Sequence, residues 1–231
     1  MPLADFVDPC GVALNDPVTT IDSLEPRLRS ALAQRLPGVD AQLLFAPRPR
    51  PAWRPGYSPE SARPAAALVL IYPVEDDVAV PLTLRASSLA RHGGQVSLPG
   101  GAIDRGESVE QAALREAAEE IGLTVGEVRV LGPLTPLHIP VSGFALHPVL
   151  AVTDRRPGFH PASGEVDRIL EVRLGHLTDP SRLGRGALMR DDGERVEFAY
   201  FDVLGHEVWG ATAMVLAEFL CLLGVRPQPW P

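Results

Sequence analysis

Hydrophobic positions along this chain follow two rhythms. Residues 65–72 form an unbroken apolar run, and residues 78–86, apolar as far as Leu82, read as its partner beyond the turn at Asp76 and Asp77. Runs of this length, bounded by turn formers, predict paired strands. Segments 128–134 and 144–153 predict two more, 166–177 is apolar-rich, and 200–203 predicts a short strand before Gly205. Helical spacing occurs at three places. Residues 20–36 predict a helix capped by Asp22 or Ser23 and stopped at Pro37 and Gly38. Residues 108–121 predict a second and residues 212–223 an amphipathic third. Between the first helix and the first strand, residues 46–64 are Pro-rich, a connector or an ordered arm. Strands flanking a central helix, with another helix at the end, predict a mixed sheet between helices. The division expected is a helical extension with a Pro-rich connector at 1–60 and the main domain at 61–226.

The central helix carries the chemistry. Residues 108–121 lack Pro and Gly and are rich in Ala, Glu, Gln, Leu and Arg, all good helix formers. Gly122 supplies the stop. At about 100° per residue, Glu116 and Glu120 lie one above the other with Glu119 beside them. Ala113, Leu114, Ala117 and Ile121 line the adjacent apolar arc. Like charges so spaced cost a few tenths of a kcal/mol per pair. A hard divalent cation would offset that repulsion. The plainer alternative is a solvated acidic face with Arg115 paired to Glu119.

The residues around the helix favour the first reading. Gly101, Glu107, Arg115, Glu116, Glu119, Glu120, Gly122 and Leu123 fall at the spacing G-x5-E-x7-R-E-x-x-E-E-x-G followed by an apolar residue. This pattern resembles the signature box of the Nudix hydrolases. The resemblance implies a Nudix-type α/β/α sandwich with a mixed β-sheet, here with an N-terminal helical extension. It also implies Mg²⁺ or Mn²⁺ held by Glu116, Glu119 and Glu120, joined by a backbone carbonyl of Gly100 or Gly101. Glu107 is then structural, bonding Arg115. Ala117 departs from the bulkier residue common at its position, which touches packing more than chemistry.

Two flanks bear on the substrate. Residues 82–101, LTLRASSLARHGGQVSLPGG, resemble the extra signature of the coenzyme A pyrophosphatase subgroup. Thr83, Arg85, Ala86, Gly94, Pro99, Gly100 and Gly101 fit, while Pro81, Ala90 and Leu98 depart. Arg85 is expected to bind phosphate oxygens through its guanidinium fork, and Arg91 to replace the cation missing at Ala90. Tyr200, Phe201 and the stretch GHEVWGATA from Gly205 resemble a motif of the same subgroup. Trp209 there packs in the core or walls the substrate pocket. The resemblance implies hydrolysis of coenzyme A to 3′,5′-ADP and 4′-phosphopantetheine. Other nucleoside diphosphate derivatives (ADP-ribose, NADH, a non-standard nucleotide) are the alternative. A silent ligand-sensing module is a third reading, although such modules usually lose box carboxylates. Glu165 is the candidate general base outside the box.

Composition narrows partners. All 21 cationic residues are Arg and the net charge is −8, which excludes lysine catalysis and argues against non-specific DNA binding. An anionic small-molecule nucleotide must therefore be drawn in locally. None of the six histidines forms a close ligand pair, so zinc is not expected. Cys10 and Cys221 read as apolar fillers. No secretory signal is visible, and the longest apolar run is interrupted by Glu218, so the expectation is a cytoplasmic protein without membrane contact. A homodimer is compatible with this reading.

Overall fold

In a computed structural model, residues 20–49, 54–86, 94–190 and 193–230 are described. In chain order the elements are α1 (Ile21–Leu32), α2 (Gly38–Gln42), β1 (Arg63–Val74), β2 (Asp77–Arg85), β3 (Val96–Ser97) and β4 (Gly100–Ala102). Next come α3 (Val109–Ile121), β5 (Arg129–Pro133), β6 (Leu137–Ile139), β7 (Phe144–Val152), β8 (Val166–Arg173) and α4 (Leu174–Thr178). The chain closes with β9 (Leu183–Met189), β10 (Arg195–Val203), β11 (His206–Val208) and α5 (Gly210–Leu222).

The apolar run in β1 is buried at every position from 65 to 72 because both faces of the strand are covered. Ala66, Leu68, Leu70 and Tyr72 pack against Ala112, Ala113, Ala117 and Ile121 of α3. Ala67, Val69 and Ile71 face the opposite core, which holds Leu24 and Leu28 of α1 and Phe219 of α5. The result is three layers, α/β/α. β1 runs parallel to β7 and antiparallel to β2 and β4, so the eight-stranded sheet is mixed. β9, β10 and β11 form a separate three-stranded antiparallel sheet. It is tied to the N-terminal segment by a stack of Phe45 on Phe201 at 4.3 Å and by backbone bonds between Arg48 and Glu197.

Several sequence expectations are corrected. Thr20, not Asp22 or Ser23, caps α1, its hydroxyl accepting from the Ser23 amide. That helix ends at Leu32, short of Leu36, whose place before Pro37 disfavours helical backbone. Segment 166–177 divides into β8 and α4. The strand foreseen at 200–203 is the end of the longer β10, whose partner β9 carries Gly184 and Gly186, poor strand formers. The last helix is not amphipathic: residues 212–220 are all buried, Glu218 included. It is enclosed by the main sheet's core, α1, α2 and β10.

Glu218 has no exposed surface, and it accepts bonds from the Thr135 amide and hydroxyl and the Gln42 amide. Burial raises its pKa above the ordinary 4.5 despite these donors. The folded state therefore holds a proton that the unfolded state releases, so the stability this proton confers is present near pH 4.5 and is lost as pH rises through the folded value. Thermal melts across that range should show wild type losing stability with rising pH more steeply than Glu218→Gln. Parallel curves would mean that the carboxyl does not titrate there.

Candidate active site

The box helix is fixed at both ends by local chemistry. At its start the Ser108 hydroxyl accepts from the Gln111 amide, and the Gln111 side chain accepts from the Ser108 amide. At its end Gly122 takes φ 69°, where a Cβ would also lie 3.2 Å from His160. The loop after β7 folds over this end, with His160 and Ala162 amides donating to the carbonyls of Ile121 and Glu120. That loop carries Glu165.

Arg115 gathers the acidic residues of the box. Its Nε and Nη2 donate to Glu107 at 3.0 and 3.1 Å. Its Nη1 donates to Glu116 at 2.8 Å and Glu119 at 3.2 Å, and Nη2 also reaches the Ala102 carbonyl. The paired guanidinium, with help from the Asp104 amide, holds the Glu107 carboxyl below its ordinary pKa.

The two box glycines are required by close approach. β4 lies against β1, pairing Gly100 with Ala67 and Gly101 with Ala66. A Cβ on Gly100 would sit 2.3 Å from the Ala66 carbonyl oxygen, and one on Gly101 would sit 2.5 Å from the Glu116 carboxyl. The Gly100 amide donates to Glu120 at 3.2 Å.

Glu120 is the buried member of the acidic set, only 6% exposed. Burial pushes its pKa up to about 7, opposed by the Gly100 amide and Arg85 and reinforced by the charges of Glu116 and Glu165. Arg85 stands at the end of β2 with Nη1 4.0 Å from Glu120. Its buried Nε has no hydrogen-bond partner among the described residues. Glu165 is exposed, and its carbonyl accepts from the Ala86 amide, which fixes the loop beside Arg85 and within electrostatic reach of Glu120. Arg91 lies outside the described residues.

The donor set is all oxygen, which suits a hard divalent cation. Among the described residues no three acidic, His or Cys side chains converge on one point. Arg115 draws Glu116 and Glu119 to itself, while Glu120 turns to Gly100. A cation would compensate the desolvated Glu120 carboxylate and compete with Arg115 for the others.

A cavity of about 810 Å³ opens beside the glycines. Arg85, Ser97 and Leu98 line it from the main sheet, Pro140, Val141 and Phe144 from the turn joining β6 to β7, and Leu188, Arg190 and Trp209 from the small-sheet side. Trp209, half-buried, borders the cavity and stacks on Phe198 at 4.6 Å. Sequence patterning did not single out Phe144 or Arg190. Neither belongs to a motif, and only folding brings them to the box.

The NUDIX domain family model matches residues 62–197 of this chain. The chain belongs to the Nudix family. The Nudix hydrolase NudL of Citrobacter koseri, itself uncharacterized, is 36% identical over 63% of this chain and 76% of its own length. The NudL of Salmonella paratyphi B, likewise uncharacterized, is 34% identical over 75% of this chain and 91% of its own. Among solved structures, the M. smegmatis Nudix hydrolase RenU is 28% identical over 48% of this chain and 71% of that one, with a TM-score of 0.42. Nudix hydrolases act on small nucleotide substrates and generally use divalent metal ions. Among the described residues no helix is long and apolar enough to cross a membrane.

The two glycines should respond differently to alanine. In Gly100→Ala the added methyl meets backbone, which predicts destabilisation of about 2–4 kcal/mol. In Gly101→Ala it meets only the flexible end of Glu116, so stability should change by less than about 1 kcal/mol. Displacing that carboxyl should still lower turnover on the order of 100-fold. Melting curves and steady-state rates of the two variants check both statements; equal destabilisation would contradict them.

Proposed function

We propose that this Nudix hydrolase cleaves the diphosphate of coenzyme A to 3′,5′-ADP and 4′-phosphopantetheine. Arg85 carries this reading. It belongs to the segment resembling the coenzyme A signature, its guanidinium lies near Glu120 and lines the cavity, and its buried Nε has no acceptor among the described residues. A diphosphate oxygen would provide one. Beyond it, on the main-sheet side, the cavity presents Leu98, Phe144 and Leu146, an apolar lining suited to a long, largely uncharged arm.

Glu116, Glu119 and Glu120, with the Gly100 carbonyl, would hold Mg²⁺ or Mn²⁺. Such an ion, when bound, neutralises phosphoryl charge and acidifies water. Arg85 positions the diphosphate by two parallel hydrogen bonds. Glu165 would accept the proton of the attacking water at its carboxylate. Attack on one phosphorus forms a P–O bond to the water oxygen and breaks the bridging P–O bond, whose oxygen leaves with the other phosphate. Arg115 acts at one remove, keeping Glu116 and Glu119 aligned through Glu107 and the Ala102 carbonyl.

Coenzyme A, dephospho-coenzyme A, ADP-ribose and NADH, each tested with Mg²⁺ and with Mn²⁺, separate the substrate readings. Release of phosphopantetheine should outpace release of AMP from ADP-ribose; equal or faster ADP-ribose cleavage would reject coenzyme A. Glu120→Gln should lower turnover by about 100-fold or more while the protein remains folded. Unchanged turnover in that variant would reject the metal role.

A further inference from the structure

Among the described residues the cavity lining contains two cationic side chains, Arg85 and Arg190, and they enter from different walls. Arg85 ends β2 of the main sheet, whereas Arg190 follows β9 of the small sheet. Arg190 is half-buried and paired with Glu194 across the β9–β10 turn. Its Nη1, one of the five donors of the guanidinium fork, donates to Glu194.

On the small-sheet side the lining also carries an aromatic ring, Trp209. Phe198 lies flat over Gly186, where a Cβ would approach its ring to 2.6 Å. Trp209 stacks on Phe198 with the rings inclined by 28°, and it borders the cavity. Gly186 thus lets Phe198 lie down and support Trp209. Along β9, Gly186, Leu188 and Arg190 follow on one face, so Arg190 stands about 13 Å from Gly186 at strand spacing. The cavity lining therefore offers one guanidinium beside the box and, on the small-sheet side, an aromatic ring and a second guanidinium.

We propose that Arg190 binds a phosphate monoester on the ribose of the substrate nucleotide, with Trp209 as the platform for the base. Arg190 then selects 3′-phosphorylated adenosine diphosphates over their dephosphorylated forms. This rests on the coenzyme A reading, because the group it recognises is the 3′-phosphate of that substrate. It assigns recognition of that group to the small sheet, away from the residues that hold the diphosphate.

Binding of 3′,5′-ADP and of 5′-AMP to the full chain tests the assignment by calorimetry, without turnover. Wild type should bind 3′,5′-ADP on the order of tenfold more tightly than 5′-AMP, a difference expected of one charge-assisted contact. In Arg190→Ala that preference should vanish while 5′-AMP affinity stays within about twofold. Arg190→Lys keeps the charge without the fork and should retain part of the preference, which serves as the test if the alanine variant is poorly folded. Equal affinities in wild type, or a preference surviving in both variants, would overturn the role of Arg190. Failure of the coenzyme A reading would appear separately, as wild-type turnover that favours ADP-ribose.

Discussion

The site depends on how closely α3 can lie on β1 and β4. Small residues meet at that contact: Ala66 on β1, Gly100 and Gly101 on β4, and Ala112, Ala113 and Ala117 on α3. Any side chain on the glycines would strike backbone or a carboxylate. Close packing of this kind leaves little room for adjustment. It brings the Glu120 carboxylate to the Gly100 amide, and the Glu116 carboxyl to the place where Gly101 has none of its own atoms.

Packing alone would leave several like charges together in partly dry surroundings. Arg115 offsets this, binding Glu107, Glu116 and Glu119 at once while anchored to the Ala102 carbonyl. Glu120 lies beyond that arginine and is the most desolvated of the group. Its partners are Gly100 and, more distantly, Arg85. The fold thus concentrates its electrostatic cost on one carboxylate at the cavity edge, where a cation and a diphosphate would relieve it.

The small sheet contributes a different kind of constraint. Its glycines at 184 and 186 let Tyr200 and Phe198 lie across β9, and Phe198 in turn supports Trp209. The wall it builds faces the main sheet across the cavity. The box and the wall opposite it therefore belong to separate sheets, joined through α5, whose residues 212–220 are wholly buried.

Much of this was legible in the chain. The spacing of Glu107, Arg115, Glu116, Glu119 and Glu120 identified the box, because helical periodicity fixes which side chains share a face. The unbroken run at 65–72 marked a strand covered on both sides, for the same reason of local regularity. The burial of Glu218, the division of 166–177 and the β9–β10 pairing were not legible. Each depends on residues outside the local window: Thr135 and Gln42 for Glu218, Asp77 for the start of α4, and, across the β9–β10 hairpin, Phe198 for Gly186. Sequence by itself determined the local geometry of the acidic helix and its family. Only tertiary structure decided what stands opposite it, because the cavity is made by segments whose meeting no local pattern encodes.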